Sequence, residues 1–233
     1  MRYRYRAVDW QKNGEFLEKY GTSDVPDYLK ISQETCVETL RELANHEHMI
    51  VRATVAENSN TTTEILDILY ARLEGDEDRC NDASASVIAA NENTSAETLR
   101  RFAQSWFDAE TQAALCGNQN TPVDILERFV RSSFDIIREA LATNPVITPE
   151  LIDILSMDDS DDARAAIAGN PSTSRIVLER LSKDLAHYVK VAVAANQKCP
   201  GPVKKKLYEE ATGLLVALGT FLPEEEYTVN ILN

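Results

Sequence analysis

Small apolar residues followed by an asparagine recur at a near-constant interval along most of this chain. Six segments share the pattern, and they read VRATVAEN, SASVIAAN, TQAALCGN, IREALATN, ARAAIAGN and VKVAVAAN. Their last residues are Asn58, Asn91, Asn118, Asn144, Asn170 and Asn196, so the successive separations are 33, 27, 26, 26 and 26 residues. A period this regular is typical of a repeat protein.

A second shared phrase follows each asparagine and predicts a capped helix. In three copies a threonine is followed three residues later by a carboxylate, which is the pattern of a capping box. The three pairs are Thr61 with Glu64, Thr94 with Glu97, and Thr121 with Asp124. We therefore expect this helix to begin at the threonine. Apolar residues such as Ile125, Leu126 and Phe129 then recur at helical spacing and predict a buried stripe.

Each repeat is thus predicted to contain two helices with an asparagine between them. The alanine-rich phrase predicts a short helix whose small side chains permit close contact between layers. Because Asn tolerates the left-handed conformation that ends helices, and its amide can bond neighbouring backbone, we interpret the asparagine column as structural. Exposing a large apolar side chain forfeits about 1.5–3 kcal/mol, so the repeats must stack to be stable.

The units ending at Asn144 and Asn170, IREALATNPVITPELIDIL and ARAAIAGNPSTSRIVLERL, resemble the leucine-rich repeat variant family. Its unit reads approximately VRxAVAxNPxTPxELLxxLA, and the likeness covers roughly residues 32–207. The resemblance implies a superhelix of stacked short and long helices, similar to HEAT and armadillo proteins. The founding type also carries an N-terminal cysteine cluster that holds iron and sulfur. No cysteine precedes Cys36 here, so we expect no cofactor.

The repeats and the resemblance together lead us to expect an all-α fold, a right-handed α-solenoid of about six 26-residue two-helix repeats. We place an N-terminal cap at 1–31, the solenoid at 32–207 and a C-terminal cap at 208–233. The segments RYRYRAV at 2–8 and EYTVNIL at 226–232 alternate polar and apolar residues, as half-buried strands do. Two alternatives stay open: the segments pair, within one strongly curved chain or across a homodimer, or they are unrelated caps.

Composition and charge narrow the class of partner. Gly and Pro number eight each, which favours a helical protein. The 24 Lys and Arg against 38 Asp and Glu give a formal charge of −14, which repels phosphate backbones and membrane surfaces. The four cysteines lie far apart with no metal-ligand or redox spacing, and no secretory leader is visible. We therefore expect a cytoplasmic protein that binds neither membrane nor, as a rule, nucleic acid.

A column of mostly long polar side chains lies six residues before each asparagine. Its members are Arg52, Ala85, Gln112, Arg138, Arg164 and Lys190. We favour the interpretation that these side chains form salt bridges with carboxylates of adjacent repeats, each worth little at a surface. The alternative is a cationic groove that binds an acidic peptide, an acidic protein or nucleic acid.

The segment ARLEGDEDRCNDAS at 71–84 interrupts the period and is strongly acidic. Insertions in repeat arrays project from one edge, where binding residues are often displayed. Asp76, Glu77, Asp78 and Asp82 are therefore candidates to bind a basic partner or a divalent cation. The other interpretation is a solvated loop, and the spacing does not match an EF-hand.

The chain carries no recognisable catalytic or metal motif. HEH at 46–48 lacks the four-residue separation that places two histidines on one helix face, and no phosphate loop or nucleophile elbow occurs. Our leading hypothesis is a non-enzymatic bacterial or phage protein that holds or inhibits another protein through an acidic solenoid surface. One alternative binds nucleic acid through Arg52, Arg138, Arg164 and Lys190 with Trp106 nearby. Another is an acidic mimic of DNA that blocks a nucleic-acid enzyme.

Overall fold

The protein is described by a computed structural model that covers residues 31, 35–75, 84–105 and 107–217, with side chains up to residue 212. The described residues form helices and no strand, which confirms the all-α class for this part of the chain. The segments 2–8 and 226–232, for which strands were predicted, lie outside the described residues. So do nearly all of the predicted N-terminal cap and most of the acidic segment 71–84.

Helices follow one another through the whole described part of the chain. In order they are α1 Val37–Leu43, α2 Met49–Glu57, α3 Thr63–Glu74, α4 Ser84–Ala90, α5 Ala96–Gln104, α6 Ala109–Gly117, α7 Val123–Phe129, α8 Asp135–Thr143, α9 Pro149–Leu155, α10 Asp161–Gly169, α11 Arg175–Leu181, α12 His187–Ala195 and α13 Gly201–Ala217. We call α2, α4, α6, α8, α10 and α12 the A helices, because each ends one residue before an asparagine of the column. The helices α3, α5, α7, α9 and α11, which follow those asparagines, are the B helices.

Two compact units divide the chain, Met1–Asn93 with α1–α4 and Thr94–Asn233 with α5–α13. In the first unit α2 packs against α4, and α3 contacts both. In the second unit the A helices α6, α8, α10 and α12 lie side by side in chain order. The B helices α7, α9 and α11 each pack against the A helices that precede and follow them, and α5 packs against α6.

The A helices bury the side that carries residues seven, three and two positions before the asparagine. In α8 these are Ile137, Leu141 and Ala142, each fully buried. In α10 they are Ala163, Ile167 and Ala168. This 3.6-residue spacing places the three side chains on one face, and the small residues let neighbouring helices approach closely. One core cluster runs through the second unit from Ala113 to Leu207.

The asparagine column joins successive helix pairs, but not in the expected conformation. Asn144 has φ −63° and ψ 126°, which is extended backbone, and the other C-cap asparagines of the A helices are similar. Its Oδ1 accepts the N–H of Val146 at 2.9 Å. Its Nδ2 donates to the carbonyls of Cys116 at 2.7 Å and Asn118 at 2.8 Å. The side chain therefore makes the turn, and no left-handed residue is needed.

The same three bonds recur at Asn91, Asn170 and Asn196. Asn91 reaches Ala56 in the first unit, while in the second unit Asn170 reaches Ala142 and Asn196 reaches Ala168. Each of these amides also accepts the N–H two residues later. The structural interpretation of the asparagines agrees with these contacts.

The B helices begin one residue later than the capping-box pattern predicted. The N-caps are Thr62, Ser95, Pro122, Thr148 and Ser174, so the prediction of a start at Thr61, Thr94 and Thr121 is wrong by one position. The hydroxyl of Thr61 instead donates to the carbonyl of Val55, and that of Thr121 to Leu115, both at 2.5 Å. These threonines are buried. They close the end of the preceding A helix, and the next residue takes the N-cap position. Ser95, Thr148 and Ser174 accept a backbone N–H there, whereas Thr62 and Pro122 do not.

Candidate functional site

The column of long polar side chains lies at the junction between successive helix pairs. Nη1 of Arg138 donates to the carbonyl of Ser132 at 2.7 Å, in the turn before its own helix. Its Nε and Nη2 donate to the two carboxylate oxygens of Asp158 at 2.7 and 2.9 Å. Asp158 also accepts the N–H of Ser160 at 2.8 Å. One guanidinium thus fixes two consecutive turns.

Arg164 makes the same set of contacts one pair further along. It donates to the carbonyl of Asp158 at 2.8 Å and to the carboxylate of Asp184 at 2.7 and 3.1 Å. Asp184 in turn accepts the N–H of Ala186 at 2.8 Å. Arginine and aspartate therefore alternate as a ladder along this edge of the second unit.

Hydrogen bonding stabilises the charged form of both ladder partners. The Arg164 guanidinium, followed by the Ala186 N–H, holds the pKa of Asp184 below its usual value, although burial opposes the shift. Burial alone would raise the pKa of Asp158, but Arg138 and the N–H of Ser160 lower it. The side chains of Arg138 and Arg164 are only 15% and 18% exposed. Their charge is therefore largely matched within the fold.

The other polar members of this column also interact with groups of the protein itself. Arg52 is buried and donates to the carbonyls of His46 and Glu47, at 3.1 and 2.7 Å. Gln112 donates to the carbonyl of Phe107 at 2.8 Å. Nζ of Lys190 lies 3.8 Å from the carboxylate of Glu210. Ala85 is buried.

Several candidate binding residues from the sequence lie outside the described residues, and the histidines of HEH interact with each other. Asp76, Glu77, Asp78, Asp82 and Trp106 lie outside the described residues. Within HEH, the rings of His46 and His48 stack at 5.4 Å, and Nδ1 of His46 accepts the N–H of His48 at 3.1 Å. Burial, followed by the charge of His48, lowers the pKa of His46.

The surface that sequence reasoning missed is the outward side of three consecutive A helices in the second unit. We call it the A face and define it by Ile136 and Glu139 of α8, Asp161 and Asp162 of α10, and Tyr188 and Val191 of α12. These residues lie nine, eight or five positions before their asparagines, opposite the buried positions. Ile136, Tyr188 and Val191 are 40%, 43% and 54% exposed.

The carboxylates of the A face influence one another across helices. Burial and then the charge of Asp162 raise the pKa of Glu139 above its usual value. Burial and then the carboxylates of Asp161 and Asp162 raise the pKa of Tyr188. Within the described residues, no Lys or Arg side chain forms an ion pair with Glu139, Asp161 or Asp162.

Most of the exposed large apolar side chains belong to these A helices or to the turns just before them. Of the nine large apolar residues exposed in the described part of the chain, six belong to α8, α12 or the turns just before α8, α10 and α12. The six are Phe134, Ile136, Met157, Leu185, Tyr188 and Val191. Clustered exposed apolar surface marks sites of interaction with other molecules, whereas scattered single residues do not.

A comparison of the repeats gives the one sequence signal for this face. The position eight before the asparagine holds Glu110, Ile136, Asp162 and Tyr188, whereas the buried position three before it holds only Val, Ile or Leu. The variable column was visible in the sequence, but its outward direction follows from how neighbouring helices pack.

A cavity of about 330 Å³ adjoins the A face between α12 and α13. Val191 and Leu207 contribute to its lining, together with Lys190 and Glu210.

Among the described residues no helix is both long and apolar enough to cross a membrane. No family model, curated protein or solved structure matches this chain.

Proposed function

We propose that this chain is a non-enzymatic helical-repeat protein of the cytoplasm that holds or inhibits another protein. In this proposal it is a right-handed α-solenoid of about six 26-residue repeats, of the kind that the leucine-rich repeat variant resemblance implies. The observation that carries the proposal is the A face, a surface on three adjacent helices with exposed apolar side chains and with carboxylates that form no ion pair with Lys or Arg within the described residues.

The distribution of polar groups supports a binding surface rather than a reaction centre. Asn144, Thr121 and the guanidinium of Arg138 hydrogen-bond to main chain or to Asp158. These groups hold the helix pairs together. The A face is where apolar area stays exposed, and covering a side chain such as Tyr188 with a partner gains about 25 cal/mol per Å² buried.

Nucleic-acid binding through the arginine column has less support. Phosphate recognition needs guanidinium groups that are free to donate, and Arg138 and Arg164 already donate to Asp158 and Asp184. The formal charge of −14 adds long-range repulsion.

Capture followed by reconstitution tests the proposal. The purified full chain is immobilised, proteins retained from an extract of its native cell are identified, and each is produced pure for titration calorimetry. We expect at least one protein to bind with a defined stoichiometry, and its own activity to fall or its lifetime to rise on binding. Competition by duplex oligonucleotide would indicate the DNA-mimic alternative. A turnover activity of this chain that one polar substitution abolishes would overturn the proposal.

A further inference from the structure

We infer that the A face is the docking surface for a cationic amphipathic segment of another protein. Lysine or arginine side chains of the segment meet Glu139, Asp161 and Asp162, and its apolar side chains cover Ile136, Tyr188 and Val191. The inference rests on the proposed function and names the surface and the chemistry of the partner.

The geometry joins the six residues into one surface. They belong to α8, α10 and α12, which pack side by side in the second unit. Asp162 is close enough to influence both Glu139 on one side and Tyr188 on the other. The apolar members stand at the two flanks, on α8 and α12, and the carboxylates lie on α8 and α10. A segment that crosses the helices would meet apolar, acidic and again apolar groups.

Charge complementarity determines the sign of the charge that the partner segment must carry. Arg138 and Arg164 compensate Asp158 and Asp184 at the neighbouring edge. Within the described residues no Lys or Arg forms an ion pair with the A-face carboxylates, and Arg164, which influences Asp161, already binds Asp184. Glu139 is half-buried beside Asp162, so the Glu139 carboxylate is ionised at a cost that a lysine or arginine of a partner would relieve.

Two other occupants fit this surface poorly. A second copy that docked through the same face would bring Glu139, Asp161 and Asp162 against their own equivalents, which repel. An oligonucleotide would place phosphates against the same carboxylates. A cationic protein segment is the class whose charge and apolar content both match.

Peptide selection on the full chain provides the test. Random peptides of about 16 residues, enough for four helical turns, are displayed on phage and selected against the immobilised protein. Enriched peptides are synthesised, and their affinities are measured by fluorescence anisotropy. We expect enriched sequences with net positive charge and with leucine, isoleucine or aromatic residues three and four positions apart.

Matched variants of the full chain then locate the site. Glu139→Gln with Asp162→Asn removes two charges from the A face, and Glu127→Gln with Glu179→Gln removes two exposed charges from the B helices α7 and α11. We expect the A-face pair to weaken peptide binding about tenfold or more and the B-helix pair to weaken it less than about twofold. Tyr188→Ala should weaken binding, whereas Ile176→Ala on α11, a more exposed apolar residue, should not.

A stability measurement separates docking from folding. Glu139 is disfavoured in its ionised form, so Glu139→Gln alone should unfold at the same or a higher temperature than the wild type while it weakens peptide binding. Loss of binding that only accompanies a lower unfolding temperature would assign the Glu139 carboxylate to the fold and overturn the inference.

The remaining outcomes distinguish the inference from the proposed function. Enriched peptides that are neutral or acidic, or that bind the A-face variants unchanged, overturn this docking surface but leave a protein-binding role intact. A homodimer in analytical ultracentrifugation that Glu139→Gln with Asp162→Asn strengthens and that excludes the peptides also overturns the inference. Failure of peptides and of native-cell proteins alike to bind would overturn both.

Discussion

At the residue scale, a single asparagine performs three tasks at each helix junction. Asn144 ends α8 through its extended backbone, holds the next turn through Oδ1, and ties that turn to the preceding pair through Nδ2. All three bonds are formed away from water, because the side chain is fully buried. A buried group that loses its partner costs more free energy than the hydrogen bond itself contributed.

The first prediction follows from this geometry. Asn144→Ala removes the partners of one N–H and two carbonyls, so we expect the free energy of unfolding to fall by about 2–4 kcal/mol in urea titrations followed by circular dichroism. Gln197→Ala, which truncates an exposed amide directly after Asn196 of the same column, is the control and should change the free energy of unfolding by less than about 0.5 kcal/mol. Equal effects of the two substitutions would contradict the structural role of the column.

The second prediction concerns pH. The pKa values of Asp158 and Asp184 lie below the usual value of about 3.8, so their contribution to stability is complete above that pH and is lost as the pH falls through the lower folded values. Urea titrations between pH 5 and pH 2 should show a steep loss of stability below pH 4. Asp158→Asn with Asp184→Asn should be less stable at pH 5 and lose less between pH 4 and pH 2. If that variant lost stability with falling pH as steeply as the wild type, the ladder carboxylates would not be the cause of the pH dependence.

At the scale of the helix, a one-residue difference separates the sequence pattern from the structure. Thr173 lies three residues after Asn170, which is the position at which Thr61 and Thr121 were expected to cap. Its hydroxyl donates instead to the carbonyl of Ile167 in the preceding helix. The oxygen of Ser174 accepts the N–H of Val177 and caps α11. Both residues are typical caps, and only the packing of the preceding helix end determines which one serves.

The third prediction separates the two roles. Ser174→Ala should cost about 1 kcal/mol, the usual value for losing an N-cap, and Ser174→Gly only a few tenths. Thr173→Val keeps the shape but removes one of the two donors to the Ile167 carbonyl, which still accepts the N–H of Asn170, so we expect a loss of about 0.5–1.5 kcal/mol. Urea titrations of the three variants check this. A cost of Ser174→Ala no larger than that of Ser174→Gly would contradict the cap at Ser174.

Much of the helix arrangement was predictable from the sequence, and much of the site was not. The asparagine period placed the ends of the A helices correctly, because the pattern is local and repeated. The extended backbone of Asn144 and the partner of Arg138 were harder to specify, since both depend on the adjacent helix pair. Glu139 and Asp162 are 23 residues apart in the chain. Only side-by-side packing of α8 and α10 makes them neighbours, so no local pattern could identify the A face.

At the scale of the whole molecule, two opposing electrostatic effects act on stability. The formal charge of −14 creates repulsion among exposed carboxylates throughout the chain. The Arg138–Asp158 and Arg164–Asp184 pairs act in the other direction. Added salt screens exposed charges separated by more than about 8 Å at physiological ionic strength, and it screens partly buried pairs much less. The carboxylates of the two ladder pairs are only 9% exposed, so the repulsion should be weakened more than the attraction.

The fourth prediction is therefore that salt stabilises this protein. Raising NaCl from about 10 mM to about 300 mM should increase the midpoint of unfolding in urea, an uncharged denaturant that leaves ionic strength unchanged. Glu127→Gln with Glu179→Gln lowers the net negative charge without touching a described ion pair, so its gain from salt should be smaller than that of the wild type. The double variant Asp158→Asn with Asp184→Asn removes the attraction within the ladder pairs as well as two negative charges. It therefore shows whether that attraction dominates the effect of salt on stability. If salt lowered the midpoint of the wild type but not of that variant, the ladder pairs would outweigh the summed repulsion of the acidic surface.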